Sequence, residues 1–121
     1  MTISVLAVDD SRTMRDMIAM ALTSEEFEVH LAEDGENGLE VLDGIEPDVI
    51  ITDINMPRLD GFGFIDAVRK RDGTRTTPIL VLTTESSPGL KTRARDAGAT
   101  GWIVKPFAQD KLVRALRMVT G

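Results

Sequence analysis

The chain has no cysteine and no tyrosine, and only one tryptophan and one histidine. Without cysteine it can have neither a disulfide framework nor a thiol nucleophile. His30, the single histidine, has no second imidazole with which to build a zinc site. Long apolar stretches are also missing, and none reaches the roughly 18 residues of a membrane span. No basic segment precedes an apolar stretch at the N-terminus, so no signal peptide is expected. Positive charge is in deficit: 14 Lys and Arg stand against 20 Asp and Glu, a formal charge of −6. That balance argues against general nucleic-acid binding. A soluble, cytoplasmic, monomeric protein without membrane insertion is the expectation. Its 121 residues fit one domain, 1–121. A chain of this size buries roughly two-thirds of its unfolded surface and needs no covalent staple.

Five short apolar runs are present instead: Ile3–Val8, Val49–Thr52, Ile79–Leu82 and Trp102–Val104, with Val29–Ala32 as the second in order. Helical spacing fills the gaps between them. Arg12–Ser24 carries Met14, Met17, Ile18, Ala21 and Leu22 on one face. Glu36–Leu42 follows Asp34, a cap candidate, and Gly61–Arg71 follows Asp60, another. Pro88–Ala97 opens with proline and stops at Gly98, and Gln109–Val119 closes the series. Strand and helix alternate five times, which predicts a doubly wound α/β fold with a five-stranded parallel sheet and right-handed crossovers. The third and fourth runs are apolar over most of their length, as in strands covered on both faces.

Four of the runs end in chemistry. Asp9-Asp10 follows the first, Asp53 the third, Thr83-Thr84 the fourth and Lys105-Pro106 the fifth. In a parallel sheet these ends share one edge, which is where open α/β sheets bind ligands. Three carboxylates, a hydroxyl and an amine would meet there. Magnesium takes hard oxygen ligands and keeps several waters, so Asp9, Asp10 and Asp53 with a backbone carbonyl suffice. Clustered carboxylates repel one another, so at least one is expected to titrate high. A carboxylate such as Asp53 can act as a nucleophile and form an aspartyl phosphate. Lys105 can neutralise a phosphoryl oxygen, and Thr83 can donate to another. A cis Lys105–Pro106 bond would aim the lysine inward.

These segments carry a family resemblance. Val8-Asp9-Asp10-Ser11, Asp53-Ile54-Asn55-Met56-Pro57 with Asp60-Gly61, Thr83-Thr84-Glu85 and Lys105-Pro106-Phe107 resemble the receiver domain of two-component response regulators. Thr13-Met14-Arg15 and Gly98-Ala99 bring the likeness closer to the single-domain, CheY-like chemotaxis regulators. The resemblance spans essentially the whole chain and implies a flavodoxin-like (βα)5 sheet of strand order 2-1-3-4-5. It implies Asp53 as phosphoacceptor, with Mg²⁺ on Asp9, Asp10, Asp53 and the Asn55 backbone carbonyl. Thr83 and Lys105 would bind the phosphoryl group. Asn55 and Glu85, two beyond the acceptor and two beyond the threonine, would tune its hydrolysis. The implied donor is a phosphohistidine on a CheA-like histidine kinase, and the implied target a flagellar motor switch protein or another protein. The chain would then be no enzyme beyond self-catalysed phosphotransfer and autodephosphorylation.

By the same resemblance Trp102 occupies a switch position coupled to Thr83, and is expected to move from a more exposed to a more buried setting on activation. The output face would lie on the fourth helix, fifth strand and fifth helix, with Lys91, Arg93, Arg95, Lys111, Arg114 and Arg117. A phosphate sink and a phosphorelay intermediate are alternative roles. A haloacid-dehalogenase-type phosphatase needs a second Asp two residues after the nucleophile, where this chain has Asn55. A receiver-like module that is never phosphorylated would not need the complete set of Asp9, Asp10, Asp53, Thr83 and Lys105.

Overall fold

The structure, a computed structural model, describes residues 2–121. Its strands are β1 (Ile3–Val8), β2 (Phe27–Ala32), β3 (Val49–Thr52), β4 (Ile79–Thr83) and β5 (Gly101–Val104). Its helices are α1 (Arg12–Thr23), α2 (Gly35–Leu42), α3 (Gly61–Lys70), α4 (Pro88–Ala97) and α5 (Gln109–Thr120). The sheet is parallel throughout, in the order β2-β1-β3-β4-β5. Register is set by alternation. Val5 and Ala7 of β1 face one way, into a cluster with Ile18 and Leu22 of α1 and Leu112 and Leu116 of α5. Leu6 and Val8 face the other way, toward Leu42 of α2, Phe64, Ile65 and Val68 of α3, and Ala94 of α4. A slip of one residue would exchange the two layers. β3 and β4 are buried at every position, because helices cover both of their faces.

Local sequence sets the helix starts. Ser11 accepts the Met14 N–H at 3.2 Å, Asp34 the Asn37 N–H at 2.8 Å and Asp60 the Gly63 N–H at 2.8 Å. Each side chain satisfies one of the amide donors that a first turn leaves unpaired. α4 begins at Pro88 and ends on Gly98 at φ +116°, a backbone that favours glycine.

Several boundaries differ from the sequence expectation by a single residue, and one differs by two. β2 starts at Phe27, two residues before Val29, because Phe27 packs into the α1–α5 layer while Glu28 points to solvent. The polar Glu28 hides the alternation in a reading that looks for continuous apolar runs.

Strand order reverses at β1, which has β2 on one side and β3 on the other. The crevice at the C-terminal ends of β1 and β3 is therefore the switch point of the sheet. Asp9 and Asp10 follow one of these strands and Asp53 the other.

Candidate phosphoryl-acceptor site

Lys105 holds the site together. Its ammonium donates to Asp9 Oδ2 and to Asp53 Oδ2, both at 2.7 Å, and the lysine side chain is only 8% exposed. The bond from Lys105 to Pro106 is cis. The free oxygens of the two carboxylates take backbone donors. Asp9 Oδ1 accepts from the Ser11 N–H at 2.9 Å, and Asp53 Oδ1 from the Ile54 N–H at 2.6 Å. Each strand end thus turns its carboxylate back onto the loop that follows it. Asp10 is exposed, yet Asp9, Asp10 and Asp53 each offer an oxygen within 4.8 Å of the others.

Burial dominates the electrostatics here. Removal from water raises the Asp9 carboxyl above its ordinary 3.8, against the Lys105 and Ser11 hydrogen bonds, and the Asp53 charge adds the least. A raised carboxyl was expected from mutual repulsion, but desolvation is the larger cause. Burial also pulls the Lys105 ammonium down, but its hydrogen bonds and charge pairing with Asp53 and Asp9 outweigh that and leave it above 10.5.

Thr83 ends β4 fully buried, and its Oγ1 accepts weakly from the Glu85 N–H at 3.4 Å. Glu85 is a hub. Its carboxylate accepts from Asn55 Nδ2 at 3.2 Å, and its carbonyl from the Trp102 indole N–H at 3.0 Å. Trp102 is half-buried, and its indole is already bonded to the Glu85 carbonyl. His30 pairs with Glu28 on the edge strand β2 at 2.9 Å, within that strand and apart from the acidic site.

Two contributors escaped the sequence reading. The Arg15 guanidinium donates to the Asp9 carbonyl at 2.6 Å, bridging the first turn of α1 to the end of β1. Its place one turn into a helix that starts beside the acidic pair is the signal that could have marked it. Arg58 reaches Asp34, across 24 residues of sequence, and no local pattern announces that pairing.

The basic set assigned to the output face divides. Lys91 and Arg95 line a cavity of about 210 Å³ with Ala94, Ala99, Thr100, Gly101 and Trp102. Arg93 instead lies over the Phe62 ring, 3.9 Å from its centroid. Arg117 turns to Phe27 and the Glu25 carbonyl, and Arg114 shares with it a cleft lined by Glu25, Gln109 and Asp110. Arginine stacks on aromatic faces, so Arg93 and Arg117 are drawn to other surfaces than the groove beside Trp102, and Arg114 lies in the second cleft. Lys111 is exposed on α5.

A parallel five-stranded sheet with an acidic crevice, a buried lysine and a threonine at its carboxyl edge defines a class, and comparison with known proteins identifies it. Residues 5–117 match the response regulator receiver domain, and the chain belongs to that family. It is 37% identical to the probable chemotaxis protein CheY of Rhizobium etli, over 98% of this chain and 93% of that protein. It spans 50% of the length of several other relatives that it matches. Among solved structures it is similar to the chemotaxis protein CheY4 of Vibrio cholerae, with TM-score 0.95 and 44% identity over 98% of this chain and 99% of that one. It is also similar to the receiver domain of the sensor histidine kinase PA1611 from Pseudomonas aeruginosa, with TM-score 0.92 and 27% identity, covering 100% and 99% of the two chains. That structure has a magnesium ion coordinated in its active-site cleft.

Proposed function

We propose that the protein is a CheY-like regulator that accepts a phosphoryl group on Asp53 from a histidine kinase and answers by changing the face around Trp102. The observation that carries this reading is the double hydrogen bond of Lys105 to Asp9 and Asp53. It sets a fixed cation beside the nucleophile, where the charge of the transferred group develops.

A carboxylate oxygen of Asp53 attacks phosphorus as the phosphorus–nitrogen bond of a phosphohistidine breaks. The imidazole leaves with the electron pair and takes up a proton. Lys105 follows the phosphoryl oxygens, and the Thr83 hydroxyl donates to another of them. The donor set of Asp9, Asp10 and Asp53, all hard oxygens within 4.8 Å, fits Mg²⁺, with the Asn55 backbone carbonyl as a further ligand. Bound there, Mg²⁺ supplies charge neutralisation for phosphoryl transfer. Asn55 and Glu85 rim the site and govern the access of the water that later hydrolyses the acyl phosphate. The chemistry is confined to self-catalysed phosphotransfer and dephosphorylation.

A role in chemotaxis, with a CheA-like kinase as donor and a flagellar motor switch protein as target, is supported by the likeness to the Rhizobium and Vibrio proteins. The bonded path from Asn55 through Glu85 to Trp102 favours an output role over a phosphate sink, which needs no such path. Among the described residues no helix is long and apolar enough to cross a membrane, which agrees with cytoplasmic action.

The test treats wild type and Asp53→Asn with acetyl phosphate and Mg²⁺ and maps the adduct by mass spectrometry. One phosphoryl group on Asp53, absent in the variant, is expected. Labelling of Asp53→Asn at the wild-type rate would overturn the assignment.

A further inference from the structure

The connection between β3 and α3 carries Asp53 and Asn55, and it is tied to neighbouring loops at two points. Near its start Asn55 donates to Glu85 at 3.2 Å. Toward its end Arg58 crosses to the turn before α2 and donates to Asp34 Oδ2, with Glu33 at 3.7 Å and Glu36 at 3.9 Å from the same guanidinium. Asp34 is 1% exposed, and its other oxygen caps α2 through the Asn37 N–H. The Gly35 N–H donates to the Leu59 carbonyl at 3.3 Å, closing the same seam through the backbone.

Arg58 pays for this reach in conformation. Its φ is +67°, a left-handed backbone that glycine or asparagine adopts with less strain. A strained residue persists where its surroundings over-determine it, and such residues cluster at functional sites. Here the side chain that bears the strain neutralises a carboxylate with almost no access to water. Leaving that carboxylate unpaired would be costly.

We infer that Arg58 is a positioning residue for the metal site. By clasping Asp34 it fixes the far end of the β3–α3 connection, and so holds the Asn55 carbonyl ready to join Asp9, Asp10 and Asp53. The inference rests on the metal-site reading above. Partners bonded to metal ligands orient them, and their loss typically lowers affinity about tenfold or more. Arg58 touches no ligand and acts through the chain between it and Asn55, so its loss is expected to weaken binding by less. The sign of the effect is diagnostic. Arg58 is itself a cation, so an influence through charge alone would make its removal strengthen Mg²⁺ binding. An influence through positioning makes removal weaken it.

The experiment is calorimetric titration with MgCl₂ of wild type, Arg58→Gly, Arg58→Lys and Asp34→Asn, with melting curves of each in the absence of metal. Glycine relieves the strain at this backbone, so Arg58→Gly retains the fold while losing the clasp. Several-fold weaker Mg²⁺ binding is expected in Arg58→Gly and in Asp34→Asn, with partial recovery in Arg58→Lys. Binding in Arg58→Gly as tight as wild type, or tighter, overturns the inference. So does a lower melting temperature with unchanged affinity, which would mark the clasp as structural only. Wild type that binds no Mg²⁺, or Asp10→Ala that binds it normally, removes the metal-site reading and this inference with it.

Discussion

Lys105 compensates two carboxylates at once, and its loss leaves both of them short of a partner in a site that water barely reaches. Removing one member of a buried ionic cluster typically costs about 3 kcal/mol or more. Lys105→Met, which keeps the stem and deletes the charge, is expected to destabilise the metal-free protein by about that amount. Because a divalent cation can replace the lost charge, millimolar Mg²⁺ should recover much of the loss, and melting curves with and without the metal check this. The pH dependence has a definite sign. The folded ammonium titrates above 10.5, so its stabilisation is complete below that value and is lost as pH rises through the raised one. The gap in melting temperature between wild type and Lys105→Met should therefore close in strong alkali. No tyrosine titrates in that window to obscure it. Asp34 behaves oppositely. The Asn37 N–H lowers its carboxyl against the pull of burial, and Arg58 adds to that lowering. Its stabilisation is present above 3.8 and lost as pH falls through the lowered value. Asp34→Ala, which deletes cap and ion pair together, should cost about 1–2 kcal/mol near neutral pH. That difference from wild type should shrink only below pH 3.8.

At the scale of elements, the start of α3 is seated directly on Asp53. The Gly61 N–H donates to the Ile54 carbonyl at 2.8 Å, and a Cβ there would fall on the Asp53 carbonyl oxygen and lie 2.7 Å from Ile54 Cα. Gly61→Ala is expected to cost about 3 kcal/mol, since the two nearest atoms are backbone and backbone cannot rotate aside. It should also displace Asp53 and slow phosphorylation. Gly44→Ala, whose Cβ would meet nothing closer than 3.8 Å, serves as the control that leaves both melting temperature and labelling unchanged. The central strands β3 and β4 were legible because burial on both faces leaves short apolar runs, and helices such as α2 and α3 because the caps Asp34 and Asp60 announce them. The edge strand β2 was legible only in its second half, since an edge strand with one wet face spaces its apolar residues apart. The acidic residues were legible for a related reason: each ends an apolar run, and in a parallel sheet those ends coincide. What binds the loops to one another was not legible. Arg58 to Asp34, Arg15 to the Asp9 carbonyl and Trp102 to the Glu85 carbonyl are contacts between turns, and turn conformation leaves no periodic trace in sequence. The output face suffered similarly, because helix position alone does not say that Arg93 will stack on Phe62 or that Arg117 will lean toward Phe27.

Across the whole molecule, the site and the candidate output groove are joined by one short stretch of chain. Thr83 lies fully buried at the end of β4, and two residues on Glu85 contacts Asn55 through its side chain and Trp102 through its carbonyl. Trp102 in turn lines the cavity with Lys91 and Arg95. A phosphoryl group on Asp53 adds roughly −1.5 to −2 charges, and the Thr83 hydroxyl is the buried donor able to answer it from β4. If Thr83 turns toward the phosphoryl, its acceptor role toward the Glu85 N–H ends and the Glu85 segment is released. The indole, bonded to that segment, must follow it or break its hydrogen bond. A ligand shifts such an equilibrium only by its difference in affinity for the two states, and conversion from mostly inactive to mostly active takes about 5 kcal/mol. Lys105 and Thr83 together are the groups that can supply the difference. Because Trp102 is the single tryptophan, its fluorescence reports the change without a label. Beryllofluoride, which imitates the phosphoryl group, is expected to lower the accessibility of Trp102 to iodide at fixed Mg²⁺. In Thr83→Ala the mimic should still bind through Lys105 while the change in accessibility is lost. Constant accessibility in wild type, or an equal fall in Thr83→Ala, would show that activation of this domain does not pass through Trp102.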